Sequence, residues 1–273
     1  MTAPPPGYPA VDGLAVGLEG GVLRLRLDRP AKRNAVSEAM MIGLVDALEA
    51  AATDEAVRVV LLEGAGEHFC AGADVVARNA DPDARPRTGS IQRRLPVQAH
   101  RLLPLVCGVQ VPVVCKVRGW AAGIGFQLAL AADFTVAARD ARFWEPFARR
   151  GFTPDSGATW LLPRRVGDVR ARELLLLGRE LSGEEAVEWG AIHAAVDAAE
   201  LDGAVDALVA QLAQGPTVAL GLTKWLLHHG AGVPLDQHLA HEAFALELSS
   251  RTADFREGMA AFVERRAPRF EGR

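Results

Sequence analysis

The residues best placed to do chemistry lie in two glycine-bearing stretches, Glu67-His-Phe-Cys-Ala-Gly-Ala-Asp74 and Arg118-Gly-Trp-Ala-Ala-Gly-Ile-Gly-Phe-Gln127. Each reads as a strand running into a turn, with small residues where a backbone must come close to something. The second leads straight into a helix through Ala132, so it offers unpaired N–H groups and the positive end of a helix dipole. Small residues of this kind serve either close packing of strand on helix or the delivery of backbone N–H groups to an anion. Two such turns, separated by an apolar strand, shift the balance towards an anion-stabilising pair. Other chemistries find little support. Gly64-Ala-Gly66 and Gly123-Ile-Gly125 lack the third glycine of a dinucleotide fingerprint, at Phe69 and Leu128. There is no GxSxG and no P-loop. His238 and His241 stand three apart without an HExxH or carboxylate pattern, so no metal site is expected there. His228 and His229 read as surface or interface residues.

The elements that must hold these turns follow from periodicity. Leu14 to Leu18 and Val22 to Leu27 alternate around Gly20-Gly21 and predict a β-hairpin. After Ser37, the positions of Met40, Met41, Leu44, Val45 and Leu48 mark one face of a helix. Val57 to Leu62 and Val111 to Val117 are apolar runs suited to strands buried on both faces, and Phe134 to Ala138 is a third strand. Leu95 to Cys107 and Gly123 to Ala132 read as helices, and the stretch from Ala77 to Pro96, rich in Arg, Asp, Pro and Gly, as a mobile loop. Ser182-Gly-Glu-Glu185 is a capping box with a helix behind it. From Leu201 the pattern is almost wholly helical: 201–213, 218–229, 235–249 and 253–266. The alternation predicts an α/β core over residues 13–200, a helical C-terminal region over 201–273, and a loosely ordered Pro-rich tail over 1–12.

Composition narrows the partners. In 273 residues, 30 Lys and Arg against 34 Asp and Glu leave a net charge of -4, which gives no overall footprint for nucleic acid or an anionic membrane. An anionic ligand must therefore meet a local cluster such as Arg29 with Lys32 and Arg33, Arg93 with Arg94, or the tail from Arg265 to Arg273. Cys70, Cys107 and Cys115 are odd in number and lack CxxC spacing, which fits a reducing, cytoplasmic compartment. The N-terminus lacks the basic and apolar regions of a signal peptide, and no stretch is apolar enough to suggest a membrane span.

Taken together, Leu27-Asp-Arg-Pro-Ala-Lys-Arg-Asn-Ala35, Phe69-Cys-Ala-Gly-Ala-Asp-Val75, Gly119 to Gly125 with Leu128-Ala-Leu-Ala-Ala-Asp133, Pro154-Asp-Ser-Gly-Ala-Thr-Trp-Leu-Leu-Pro-Arg164, Leu181 to Gly190, and Glu257 to Arg266 resemble successive signatures of the enoyl-CoA hydratase/isomerase (crotonase) superfamily. The resemblance covers roughly residues 14 to 270. It implies a spiral of ββα units followed by a helical trimerisation region, assembled as a homotrimer or hexamer. It also implies an acyl-CoA thioester substrate and no cofactor, since CoA is part of the substrate. By this resemblance the thioester oxygen accepts hydrogen bonds from the N–H groups of Ala73 and Ile124. Many members have glycine where this chain has Ile124, but only the N–H is needed, and Gly123 and Gly125 remain beside it. Lys32, Arg33, Ala35, Ala71, Asp74 and Val75 are carried over as CoA contacts, with Arg266 and Arg269 as further candidates for its phosphates. Asp74 equally suits a helix N-cap.

The resemblance is less specific for the reaction. Hydratases of the family use two glutamates, whose places here hold Gln127 and Phe147, neither of which takes a proton at neutral pH. Glu145, two residues before Phe147, serves only if the local register differs. Asp155, in Gly151-Phe-Thr-Pro-Asp-Ser-Gly157, reads by spacing alone as a helix cap before Ser156 to Leu162. By resemblance it is the acid/base of dienoyl-CoA and epoxyphenylacetyl-CoA isomerases. One carboxylate over the acyl chain suffices to move a proton between carbons, with Gln127 orienting substrate or water. Phe143, Trp144, Phe147 and Phe152 are then expected around the acyl chain, with core packing the plainer reading of Phe143. Isomerisation is the first expectation, hydration the second, and CoA-ester binding without turnover the third.

Overall fold

A computed structural model describes residues 3–74, 87–97, 99–230 and 232–273. The predicted hairpin is present: β1 (Leu14–Glu19) pairs antiparallel with β2 (Val22–Leu27). Gly20 and Gly21 join them with φ of +57° and +80°, values that a two-residue hairpin turn needs and glycine adopts without strain. Helix α1 (Glu38–Ala51) starts at Ser37, whose Oγ accepts from the Met40 N–H at 3.2 Å. Its predicted face of Met40, Met41, Leu44, Val45 and Leu48 is buried.

After β3 (Val59–Gly64) come a short helix α2 (Ser90–Arg94), a single 3-10 turn at Leu95–Val97, and α3 (Ala99–Gly108). Part of the stretch predicted as a mobile loop, 77–96, is thus helical, and residues 77–86 lie outside the described residues. The chain continues through β4 (Val113–Val117), β5 (Trp120–Ala122), α4 (Ile124–Ala131), β6 (Phe134–Ala138), β7 (Arg142–Trp144), α5 (Ala158–Val166), α6 (Asp168–Leu176), β8 (Glu180–Ser182), α7 (Gly183–Glu188) and β9 (Ala194–Val196). Helices α8 (Leu201–Ala213), α9 (Thr217–Gly230), α10 (Leu235–Ser249) and α11 (Ala253–Glu264) complete it.

Among the described residues the strands form two sheets. The larger has the order β1-β2-β3-β4-β6-β9, parallel except for β1, and the smaller has the order β5-β7-β8. A unit therefore repeats: β4 joins the large sheet, β5 the small one, and α4 follows, and then β6, β7 and α5 do the same. Strands β3 and β4 are buried along most of their length, as their apolar runs require. Helix α8 packs on β3, β4 and β6 through Leu201, Val205 and Val209, so the first of the C-terminal helices is a layer of the core.

Within the Pro-rich N-terminal segment the Tyr8 side chain is packed away and its hydroxyl donates to Asp54 at 2.8 Å, while Val11 rests on the core. An aromatic ring with a polar tip can anchor a segment whose prolines bar it from helix or sheet.

Candidate active site

The two glycine turns are brought together by a single isolated bridge. Cys70 pairs in parallel with Ala121, the Cys70 N–H donating to the Trp120 carbonyl and the Ala122 N–H to the Cys70 carbonyl, each at 2.9 Å. Ala73 lies three residues beyond Cys70 and Ile124 three beyond Ala121, so equal offsets from one register point carry both into the same neighbourhood. The approach is close enough to require glycine. A Cβ on Gly125 would stand 2.7 Å from the Cys70 Cβ, and one on Gly72, where φ is +106°, would stand 3.3 Å from the Ala122 carbonyl oxygen. The Cys70 thiol is sealed in this junction, and burial pushes its pKa up to about 12.

The direction of each N–H follows from its neighbours. The Val36 N–H donates to the Gly72 carbonyl and the Asp74 N–H to the Val36 carbonyl, both at 2.9 Å. Along an extended backbone successive groups alternate, so the Ala73 N–H between them points away from Val36. Ile124 is the first residue of α4, where N–H groups have no acceptor within the helix. Gly123 precedes it with φ 52° and ψ −121°, outside the regions open to residues with a Cβ, and its N–H is tied to the Trp144 carbonyl at 2.9 Å. The end of β7 thus fixes the start of α4. Gly72, Ala73, Gly123 and Ile124 all line one cleft of about 300 Å³, together with Asp155, Phe147 and Phe152.

Asp155 reaches the cleft from a sharp turn. Ser156 and Gly157 behind it have φ of 50° and 89°, and α5 begins at Ala158 without a side-chain cap. The helix-cap reading of Asp155 is therefore not what the structure shows. A left-handed conformation at Ser156 costs roughly 1–2 kcal/mol, strain that the surrounding structure sustains at the position following the carboxylate.

Behind the cleft lie Gln127 and Glu145, both fully buried. Neither the Gln127 amide nor the Glu145 carboxyl makes a hydrogen bond of normal geometry among the described residues, although the amide lies beside the carboxyl. Burial, and then the charge of Asp155, hold the Glu145 carboxyl well above the usual carboxylate range, against a smaller opposite pull from Gln127. Gln127 was expected to orient substrate or water, but it does not line the cleft and faces Glu145 instead. Glu145, the weakest of the acidic candidates by sequence, is sealed beside Gln127 where the charge of Asp155 acts on it. The sequence offered it only as an alternative acid under a shifted register, because its burial depends on the short pairing of β5 with β7.

Of the aromatic residues, Phe147 and Phe152 line the cleft and meet edge to face at 5.3 Å. Phe143 is core, packed on Phe126, as the plainer reading had it. Trp144 does not line the cleft: it packs on Trp120, and its Nε1 donates to the Gly178 carbonyl at 3.1 Å.

The carried-over CoA contacts divide. Ala71 and Asp74 line the cleft. The Asp74 carboxylate pairs with Arg29 at 3.0 Å and Lys32 at 3.5 Å, which puts Lys32 at the rim, and the residues that its N-cap reading concerns lie outside the described residues. Arg33 and Ala35 belong to the turn behind the cleft, where the Arg33 carbonyl accepts from Ala71 and the Ala35 carbonyl from Arg29. Val75 lies outside the described residues. Arg266 and Arg269 gather around Glu257, away from the cleft lining. Sequence reasoning passed over Asn34, which is fully buried with φ 56°. Its side chain accepts from the Arg29 N–H and donates to the carbonyls of Ala65 and His68, stitching this turn to the strand that delivers Cys70.

Two backbone turns with outward N–H groups and a carboxylate on one cleft suit chemistry at a carbon beside a carbonyl, where proton removal puts charge on oxygen. Residues 17–273 match the family described as Enoyl-CoA hydratase/isomerase. The chain belongs to that family. Among the relatives of this enoyl-CoA hydratase/isomerase family enzyme, the 1,2-epoxyphenylacetyl-CoA isomerase of Escherichia coli K12 is 42% identical over 258 residues, covering 94% of this chain and 97% of that protein. The 2,3-dehydroadipyl-CoA hydratase of the same organism is 33% identical, covering 95% and 99%. The crystal structure of an enoyl-CoA hydratase from Bacillus anthracis superposes with a TM-score of 0.89 at 31% identity, covering 96% of this chain and 100% of that one. The α/β fold expected from the motifs is thus that of the family, and the chain is an acyl-CoA enzyme. No helix among the described residues is long and apolar enough to cross a membrane.

Proposed function

We propose that this enzyme isomerises an enoyl- or dienoyl-CoA thioester, with Asp155 as the single acid/base and the Ala73 and Ile124 N–H groups holding the enolate oxygen. Asp155 takes a proton from the carbon beyond the double bond. The C–H electron pair moves through the conjugated system onto the thioester oxygen, and Asp155 then returns the proton at the carbon beside the carbonyl. The double bond shifts, nothing is added, and no cofactor enters. The observation that carries this reading is the common offset of the two turns from the Cys70–Ala121 bridge, with Asp155 on the same cleft. Each backbone donor of such a pair contributes about 3–4 kcal/mol to transition-state stabilisation.

Asp74 with Lys32 and Arg29 at the rim supports a place for the CoA moiety there, and Ala71, Arg33, Ala35 and Val75 belong to the same proposed contact region. Phe147 and Phe152 suit the acyl chain, and Gly123 leaves it room. The apolar side chains exposed on the C-terminal helices, among them Leu239, Phe244, Met259 and Phe262, support self-association as a trimer or hexamer, which the mass in solution tests.

Hydration is the second reading, because Glu145 beside Asp155 supplies a second carboxyl group. Incubating the purified enzyme with a panel of enoyl- and dienoyl-CoA esters separates the outcomes. A positional isomer without incorporation of solvent oxygen supports isomerisation, and a hydroxyacyl product overturns it in favour of hydration. Retention of the thioester with neither product points to a binding protein.

A further inference from the structure

A backbone N–H stabilises an oxyanion only when it is held at one distance and one angle, with the donor about 2.7–3.1 Å from the oxygen. For Ala73, main-chain bonds supply part of that hold. Ala73 forms an isolated parallel bridge with Val36, and beside it the Ala71 N–H donates to the Arg33 carbonyl at 2.9 Å. One side chain closes the same bridge. The Arg29 guanidinium donates through Nη1 to the Ala35 carbonyl at 2.7 Å and through Nη2 to Asp74 Oδ2 at 3.0 Å. Ala35 precedes Val36 and Asp74 follows Ala73, so a single planar group grips both segments of the bridge next to the paired position.

The grip is itself fixed. The Arg29 stem lies against Gly13, where a Cβ would stand 2.7 Å from both Cγ and Cδ, so the path of this side chain exists only beside a glycine. The Arg29 N–H donates to Asn34 Oδ1 at 2.8 Å, and the Arg29 carbonyl accepts from the N–H groups of Lys32 and Asn34 at 2.9 and 3.0 Å. The pair is also shielded: the Arg29 and Asp74 side chains are 21% and 9% exposed, against 55% for Lys32, which also pairs with Asp74. Two charge-assisted bonds from a rigid fork set direction as well as distance. A lysine ammonium, a point charge on a flexible stem, does not reproduce them.

We infer that Arg29 is a positioning residue for the oxyanion donor: its fork fixes the Val36–Ala73 bridge and thereby aims the Ala73 N–H. The inference rests on the assignment of Ala73 as a donor to the thioester oxygen and extends it. Ala73 and Asp74 line the cleft and Arg29 does not, so Arg29 acts through the turn and not on the thioester. Loosening the bridge lets the N–H tilt off the oxygen, and a misplacement of about 1 Å costs on the order of 10²-fold in rate.

The test uses the full-length enzyme and a saturated acyl-CoA labelled with 13C at the thioester carbonyl, a probe that occupies the site without isomerising. In the wild type the infrared band of the labelled carbonyl should lie below its position in solution, because the donors polarise the bond. In Arg29→Lys the band should move back towards the solution position, and kcat on an enoyl-CoA should fall by about 10²-fold, with KM and CoA affinity as in the wild type. Asp74→Ala removes the other end of the same grip and serves should Arg29→Lys fold poorly. Its band should move equally, and the double variant should lose no more than either single one. A band that stays at the wild-type position in both variants overturns the inference, as do additive losses in the double variant. A raised KM at unchanged kcat overturns it too, and makes Arg29 a CoA contact instead. A wild-type band that matches free solution removes Ala73 as a donor and the inference with it. Asp155→Asn should leave the lowered band in place, which separates these outcomes from a failure of the acid/base assignment.

Discussion

Two buried sites in this molecule handle a titratable group in opposite ways. On the side of the core where α9 packs on α3, Lys224 is buried, but every demand it makes is met: its Nζ donates to the carbonyls of Val106 at 2.9 Å and Val111 at 3.1 Å and pairs with Asp133 at 2.8 Å. Asp133 in turn accepts the Val113 N–H at 2.7 Å, so one ion pair ties α3, β4 and α9 together. Behind the active-site cleft Glu145 makes no hydrogen bond of normal geometry among the described residues, and the charge that acts on it, that of Asp155, is a like one. The first arrangement is what a structural ion pair requires; the second is tolerated only where a site uses the perturbation.

The contrast can be broken at several points. The largest effect is expected from Asp155→Asn, which should lower kcat by about 10²- to 10⁴-fold, the usual worth of a positioned acid/base, with thioester affinity and melting temperature nearly unchanged. Steady-state kinetics beside calorimetric binding check this, and unaltered turnover removes Asp155 from the mechanism. Next is Lys224→Ala, which should cost roughly 3 kcal/mol of stability because it leaves Asp133 and two carbonyls without their cation. Denaturant unfolding measures that loss, and kcat of the folded protein should stay at the wild-type value. If Lys224→Ala were as stable as the wild type, the ion pair would be ornamental and the comparison would lose its structural half.

The smaller effects concern pH. The folded protein holds the Glu145 proton to higher pH than the unfolded chain does, so its contribution to stability is intact below the ordinary carboxylate range and declines as pH rises above it. Glu145→Gln should therefore gain stability over the wild type as pH increases towards 8, by about 1–3 kcal/mol if the full cost of a buried unsatisfied group is relieved, and gain little near pH 4. Lys224 has the opposite slope. Burial, only partly offset by Asp133, holds its pKa below the usual 10.5, so the folded state releases that proton first and stability contributed at this site rises with pH as 10.5 is approached from below. Thermal melts of the wild type, Glu145→Gln and Lys224→Met across pH should show these two slopes with opposite sign. Slopes of the same sign would mean that one of the two groups is not in the protonation state described.

Local chemistry made much of the fold legible. The capping box at Ser182 and Glu185 forms as written, with the Ser182 N–H donating to Glu185 Oε2 at 2.8 Å and the Glu185 N–H to Ser182 Oγ at 3.1 Å, because both partners lie within one turn of chain. The four C-terminal helices and the long strands were readable for the same reason: their periodicity spans many residues. The strands β5, β7 and β8 were not, since three residues are too few to show an alternation, and their pairing joins segments far apart in sequence. That small sheet decides which side chains stand behind the cleft, which is why Gln127 was assigned to the substrate and Trp144 to the acyl pocket when neither lines it. Tyr8 escaped notice because its partner, Asp54, lies 46 residues away.

The sequence by itself determined the two glycine turns, the strands and helices that carry them, and the candidate carboxylate Asp155, because glycine at a strained position and apolar periodicity are properties of neighbours along the chain. Tertiary structure alone decided that Cys70 bridges Ala121, that Asn34 stitches its turn to the strand beside it, and that Glu145 is sealed where the charge of Asp155 acts on it. Burial and electrostatic coupling arise between segments brought together only by folding, so the charge state of a carboxyl group cannot be read from its own stretch of chain.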